Sequence, residues 1–210
     1  MIRERIEPIW QGKSAIVAAT GPSLTEDVAE RCRRAHQAGT HAVIAISDAW
    51  RLMPWADALY SCDQRWWDLH QPEFAGAKWS SHHMRDNDKR AAAERHGLNL
   101  VRGQGGKGFS FDPERIFYGS NSGFQAVNLA LLFGARRLVL AGFDMRVVAC
   151  RSHFFGEHPA GLRRTSNHQN FIRAFAVAAA SLPGGIEILN ATPESALRCF
   201  PGIDLDLALQ

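Results

Sequence analysis

Five segments of the chain place small polar or acidic groups directly after an apolar run. They are Gly21-Pro22-Ser23 after Ser14–Thr20, Ser47-Asp48 after His41–Ile46, Cys62-Asp63 after Asp57–Ser61, Gly142-Phe143-Asp144 after Arg137–Ala141, and Asn190-Ala191-Thr192 after Ile186–Leu189. In open parallel sheets, ligands bind where strands end at their carboxyl side, so these positions are the candidates for a site. At Gly21 a side chain would block close approach, and a helix starting just after it offers free backbone N–H groups to an anionic phosphate. The plain alternative is a tight turn in which Ser23 caps the next helix.

Two further clusters carry reactive side chains. Ser152-His153-Phe154-Phe155-Gly156-Glu157-His158-Pro159, followed by His168, holds three of the nine histidines. Imidazoles gathered in a segment without regular structure suit a base, a phosphate ligand or a metal site. The run His82-His83-Met84-Arg85-Asp86-Asn87-Asp88 contains Asp-x-Asp, which metal-using glycosyltransferases employ to hold a divalent ion. Such triplets are common on polar loops, Asp88 equally suits a helix cap, and no metal ligand is assigned from it. Two nucleotide motifs fail on inspection: the first turn has the single glycine Gly21, which breaks G-x-G-x-x-G, and Glu7 stands where a P-loop before Gly12-Lys13-Ser14 needs glycine.

The elements that must position these groups follow from periodicity. Ser14–Thr20 is small and β-branched on both faces, as a buried parallel strand is. Thr25–Ala38 reads as a helix, with acids early and bases late to complement its dipole. His41–Ile46 and Asp57–Ser61 read as the next strands, Ala77–Ser80 as a possible strand, and Asp88–His96 as a short helix. Arg102–Gly108 reads as a flexible glycine-rich loop, Ser122–Phe133 as a helix stopped by Gly134, and Arg137–Ala141 as a strand. Asn167–Ser181 is expected as a helix, Ile186–Leu189 as a strand and Pro193–Phe200 as a short helix. Strand, glycine turn and helix in alternation predict an α/β fold, a Rossmann-like three-layer sandwich with a mainly parallel sheet. The expected organisation is a single domain over 1–210 with a flexible insertion around 80–118.

Composition narrows the function classes. The chain has 210 residues, 46% apolar, with 24 basic against 21 acidic side chains and a net charge of +3. That supports a continuous core and excludes a disordered or fibrous protein. The mild charge gives no reason to expect nucleic acid as a partner. The longest apolar runs, Ala126–Phe133 and Ala174–Leu182, are too short for a membrane span, and the start has no signal-like stretch, so a cytoplasmic location is expected. Four scattered cysteines, Cys32, Cys62, Cys150 and Cys199, form no C-x-x-C pair. All six tryptophans lie in the first 80 residues and are read mainly as core or as a homo-oligomer contact.

Taken together, Gly21-Pro22-Ser23-Leu24, the block SNSGFQAVNLALLFGARRLVLAGFDM (Ser120–Met145), Ser152–His158 and LNATPESALRCF (Leu189–Phe200) resemble the bacterial family 42 sialyltransferases and their phage- and prophage-encoded relatives. The same core is similar to the MptE-like domain of archaeal 6-hydroxymethylpterin diphosphokinases. The sialyltransferase resemblance implies metal-independent, inverting transfer of sialic acid from a CMP donor to an acceptor hydroxyl, with no resident cofactor. It implies His158 as general base with His153 beside it. It also implies donor contacts from the turn Gly21, Pro22 and Ser23 and from Ser122 and Gly123; Ser47, Asp48, Asp63 and Asp144 at the strand ends, with Asn121 before the helix, complete the expected nucleotide-binding set.

The chain departs from that pattern at two places. Ser47-Asp48-Ala49 stands where the family has Cys-Asn-Gln, and Asp48 accepts where asparagine also donates. The family's phosphate-holding tyrosines are absent, leaving Arg146 and Arg151 for that work. The MptE-like resemblance implies instead an ATP- and magnesium-dependent diphosphokinase, with the ion held by Asp48, Asp63 and Asp144. A non-catalytic, phage-associated binding module is the third reading.

Overall fold

The computed structural model describes residues 2–3, 5–83, 87–162 and 167–210. They form one sheet of nine strands: β1 (Ile2–Arg3), β2 (Ser14–Ala18), β3 (His41–Ile46), β4 (Ala58–Tyr60), β5 (Ala77–His82), β6 (Asn99–Gln104), β7 (Arg115–Phe117), β8 (Arg137–Ala141) and β9 (Glu187–Asn190). The spatial order is β1-β6-β5-β4-β3-β2-β8-β9, and every pairing is parallel. β1 and β7 follow one another along the same edge of β6, opposite Leu100–Val101 and Arg102–Gln104 respectively. Among the described residues six α-helices accompany the sheet: α1 (Glu26–Gln37), α2 (Gln64–His70), α3 (Asn87–His96), α4 (Ser122–Leu132), α5 (His168–Ala180) and α6 (Leu205–Ala208).

The alternation of side chains along buried strands sorts the core into two layers. Ala15 and Val17 of β2 and Ile44 of β3 join Phe124 and Val127 of α4 and Phe175 of α5 on one face. Ile16, Ala18 and Val43 join Cys32 of α1, Trp66 and Trp67 of α2 and Ala93 of α3 on the other. Each large apolar side chain sealed in this way contributes roughly 1.5–3 kcal/mol relative to exposure. Trp10, Trp66, Trp67 and Trp79 are all buried in these layers, so the aromatic load of the first third serves the core. Helices on both faces of a parallel sheet make this a Rossmann-like α/β sandwich, as the residue pattern predicts.

The local signals hold closely around the centre of the sheet. β3 and β8 have the expected bounds, and α1 is capped by Thr25, whose hydroxyl accepts from the Val28 N–H at 3.2 Å. Ser23 is therefore not the cap of α1.

Two expectations fail locally. Arg102–Gln104 belong to β6, not to a loop; Gly103 lacks a side chain because the Tyr118 ring lies against it, and the Tyr118 hydroxyl donates to the Gly103 carbonyl at 2.7 Å. Between 80 and 118 the chain supplies the end of β5, then α3, β6 and β7 to the sheet layers. Pro193–Phe200 forms turns and no helix: the Ser195 hydroxyl accepts the Leu197 N–H and donates to the Phe143 carbonyl, while the Asn190 side-chain amide donates to the Leu197 carbonyl. Side chains that satisfy local backbone groups compete with helix formation, and the helix of this region forms later, at α6 behind its Asp204 cap.

Candidate active site

The order of strands reverses at β2. From β2 the chain passes through α1 to β3 on one side, and the strand on the other side, β8, arrives only after α4. A crevice outside the carboxyl ends of two such strands is the usual ligand position in a doubly wound sheet. Here a cleft of about 300 Å3 lies at that point, lined by the ends of β2, β3, β4 and β8, the start of α4 and the segment after β8.

Its floor is built from glycine and a carboxylate. A Cβ at Gly21 would fall on the Asp144 carboxylate, and one at Gly142, whose φ is +72°, would meet the Ala19 carbonyl. Both positions therefore require glycine. Asp144, buried at the end of β8, accepts the Ser23 hydroxyl at 2.7 Å and the Ser23 N–H at 3.2 Å. The Phe143 N–H donates to the Thr192 hydroxyl at 2.9 Å, which ties the end of β9 to the same floor.

α4 opens on the cleft. Asn121 caps it by accepting the Phe124 N–H at 2.8 Å, so the N–H groups of Ser122 and Gly123 lie in its uncapped first turn. The Ser122 hydroxyl accepts the Cys62 N–H and donates to the Cys62 sulfur, both at 3.1 Å, fastening the helix start to the end of β4. Lys89 of α3 donates to the Cys62 and Ser81 carbonyls at 2.6 and 2.7 Å and holds the neighbouring strand ends together. Ser47, Ser120 and Met145, all on the cleft wall, have φ values of +46°, +69° and +51°. Left-handed backbone at non-glycine residues costs of order 1–3 kcal/mol each and tends to gather at functional sites.

The segment after β8 forms the opposite wall. Val148 and Arg151 pair through both backbone hydrogen bonds around left-handed Ala149 and Cys150, and the chain then returns to the cleft at Ser152 and His153. The Thr20 carbonyl accepts the Phe154 N–H at 3.0 Å, and Thr20 Oγ1 lies 3.0 Å from His153 Nδ1. The His153 ring stacks on Phe155 at 5.0 Å and meets His158 edge-on at 4.5 Å.

Burial lowers the pKa of His153 to about 4, with His158 and His168 adding to the shift and the Asp48 carboxylate opposing it. His158 is also lowered by burial, and Arg51 adds to this, but the Asp48 and Asp63 carboxylates oppose the shift. Both imidazoles are therefore neutral at pH 7 and able to accept a proton. His158, favoured by two carboxylates, is the better acceptor of the pair.

Of the residues expected at a site, Gly21, Ser47, Asp63, Asn121, Ser122, Gly123, Asp144, Arg146, His153 and His158 line this one cleft. Pro22 and Ser23 lie outside its lining, with Ser23 committed to Asp144. Arg151 is exposed and also outside the lining. Asp48 is sealed behind the wall: its Oδ2 accepts the Trp66 indole N–H at 2.8 Å, and its side chain is 1% exposed. Asp63 caps α2 and pairs with Arg65 at 3.2 Å, and Arg146 pairs with Glu194 at 2.7 Å.

Thr20, Ser120, Leu162 and Phe171 line the cleft without having been expected there. Thr20 had a signal in the sequence as the last residue of the apolar run before Gly21, and Ser120 as the first residue of the block Ser120–Met145, whereas Leu162 and Phe171 had none. Among the described residues no three His, Cys, Asp or Glu side chains come together to hold a metal ion. Asp86 of the Asp-x-Asp triplet lies outside the described residues. No helix among the described residues is long and apolar enough to cross a membrane.

The fold and the cleft at its switch point define a Rossmann-like α/β protein with the ligand position typical of that class. No protein-family model matches the chain, and no curated protein matches it. Among solved structures it is similar to MAf glycosyltransferase from Magnetospirillum magneticum AMB-1, with a TM-score of 0.64 over 96% of this chain at 12% identity. The chain spans 35% of the length of that protein. At this identity the likeness shows a shared fold.

Proposed function

We propose that the chain is a glycosyltransferase-like transferase, sialyltransferase-like in its chemistry, that moves a sugar from a nucleotide-activated donor to a hydroxyl acceptor without a metal. The observation that carries this reading is the meeting, in one cleft, of the glycine floor at Gly21, the open first turn of α4, Arg146, and the neutral imidazole pair His153 and His158. The resemblance of the sequence blocks to family 42 sialyltransferases and the fold shared with a glycosyltransferase support it.

In this reading the donor phosphate lies against the Ser122 and Gly123 N–H groups and Arg146, whose positive ends stabilise the charge that grows on the leaving phosphate. The acceptor hydroxyl approaches His158. As its oxygen bonds to the anomeric carbon, the bond from that carbon to the phosphate oxygen breaks, the hydroxyl proton passes to the His158 imidazole, and the nucleotide leaves. A positioned base of this kind contributes roughly 10²–10⁴-fold to rate.

The magnesium-dependent diphosphokinase reading draws on Asp48, Asp63 and Asp144, and these carboxylates are engaged separately by Trp66, Arg65 and Ser23.

The test is a thermal-shift screen against CMP, CDP, UDP, GDP, ADP and ATP, each with magnesium and with a chelator. A nucleotide at about 100 times its dissociation constant stabilises the fold by roughly 2.7 kcal/mol, a clear rise in Tm. A shift with CMP that persists in chelator supports the proposal. A shift confined to ATP with magnesium replaces it with the diphosphokinase, and no shift with any nucleotide replaces it with a binding module.

A further inference from the structure

We infer that Asp48 is a positioning residue for His158, a carboxylate sealed behind the cleft wall that holds the positive charge formed when this imidazole takes a proton. The inference rests on the proposed role of His158 as proton acceptor.

The backbone sets up the arrangement. β3 ends at Ile46, Ser47 turns left-handed at φ +46°, and a short 3-10 turn over Ser47–Arg51 follows. Ser47 faces the cleft, whereas Asp48 is buried. A buried carboxylate is costly unless its oxygens are met. One oxygen accepts the Trp66 indole N–H at 2.8 Å. The other lies 2.7 Å from Arg51 Nη2 and 3.8 Å from His70 Nε2.

From there a packed path leads to the cleft. The Arg51 guanidinium lies over the Phe155 ring at 5.5 Å, and Phe155 contacts both His153 and His158 at 5.0 Å. Among the described residues, the groups that act on His158 include the carboxylates of Asp48 and Asp63, the Arg51 guanidinium, and the His70 and His153 imidazoles. Burial and Arg51 disfavour the imidazolium, and Asp48 is the foremost group favouring it. A base in a desolvated wall needs such a counter-charge, because the proton it accepts creates a cation away from water. Asp48 supplies it from a buried position outside the cleft lining, without occupying space in the cleft.

The test is an NMR titration of the imidazole nitrogens in the wild-type chain, Asp48→Asn and Arg51→Gln. Asp48→Asn is expected to move the His158 midpoint down and Arg51→Gln to move it up, while His168, lowered by burial alone, keeps its midpoint in both. Arg51 is 42% exposed, so Arg51→Gln keeps the test decisive if Asp48→Asn does not fold. A His158 midpoint unmoved in a folded Arg51→Gln or Asp48→Asn chain overturns the inference, as does an equal movement of His168. The titration needs no substrate, so it fails separately from the transferase reading, which fails if His158→Ala leaves sugar transfer unchanged.

Discussion

Ser23 and Asp144, 121 positions apart, are joined at one carboxylate, which takes both the hydroxyl and the backbone N–H of the serine. This joint closes the turn after β2 onto the end of β8 directly under the position where a side chain at Gly21 would lie. Asp144→Ala leaves both Ser23 donors without their partner in a half-buried setting. The expected loss is about 1–3 kcal/mol of stability, read as a lower denaturant midpoint at unchanged slope. Gly21→Ala is expected to destabilise by a similar roughly 1–3 kcal/mol through overpacking against the same carboxylate. A Gly21→Ala chain as stable as wild type contradicts the close approach.

Acid should weaken the fold through His153. Its folded pKa of about 4 lies below the ordinary 6.5, so between these values the unfolded chain binds more protons than the folded one. Stability therefore falls as pH drops from about 6.5 toward 4, and little further loss from this group occurs below 4. Thermal unfolding measured across that window should show a smaller fall for His153→Gln than for wild type. Equal slopes in the two chains would remove His153 from the account.

The four cysteines should separate by reactivity. Burial raises the Cys32 thiol to about 12 and the Cys199 thiol to about 11, while Cys150 is exposed and Cys62 lies half-buried in the cleft wall. Alkylation followed by mass spectrometry is expected to label Cys150 first and Cys62 next. Saturating CMP should slow Cys62 and leave Cys150 unchanged. A Cys62 rate indifferent to a nucleotide that raises Tm would place that nucleotide elsewhere.

Arg146 is held by Glu194, a residue at φ +50° on an exposed turn. The carboxylate occupies the guanidinium that a donor phosphate would use. Glu194→Gln is expected to tighten CMP binding, and Arg146→Ala to weaken it by about tenfold or more, the scale of a charge-assisted hydrogen bond. Cytidine, without phosphate, should bind both variants like wild type in calorimetry. Equal weakening of cytidine and CMP in Arg146→Ala would assign the arginine to shape and not to charge.

The centre of the fold was legible because the signals there are local. Buried strands such as β3 and β8 are continuous apolar runs, and α1 carries its own cap and charge order. The placement of site residues just after strands followed from the parallel topology, and it brought Gly21, Ser47, Asp63 and Asp144 to one cleft. What the sequence could not show were partners made by folding. Ser23 looks like a helix cap until Asp144 is beside it, and Asp48 looks like a ligand contact until Trp66 and Arg51 enclose it. The glycines at 103 and 106 suggested mobility, yet each lies under an aromatic ring, Tyr118 or Phe117, that only tertiary packing brings there. The short strand β7 has too few residues to express a period.

The position of β2 also bears on how the chain is made. Its neighbour β3 follows within one helix, but its other neighbour, β8, pairs Arg137 with Ser14 across most of the sequence. Contacts of such separation form late and slowly. As the chain emerges in order, β2 stands as an open sheet edge until β8 arrives, with its N–H and C=O rows free to recruit another strand. The floor of the site therefore cannot form until β8 has docked on β2. Substitutions that slow β8 docking should lower the yield of native chain through aggregation before they change the stability of the finished fold.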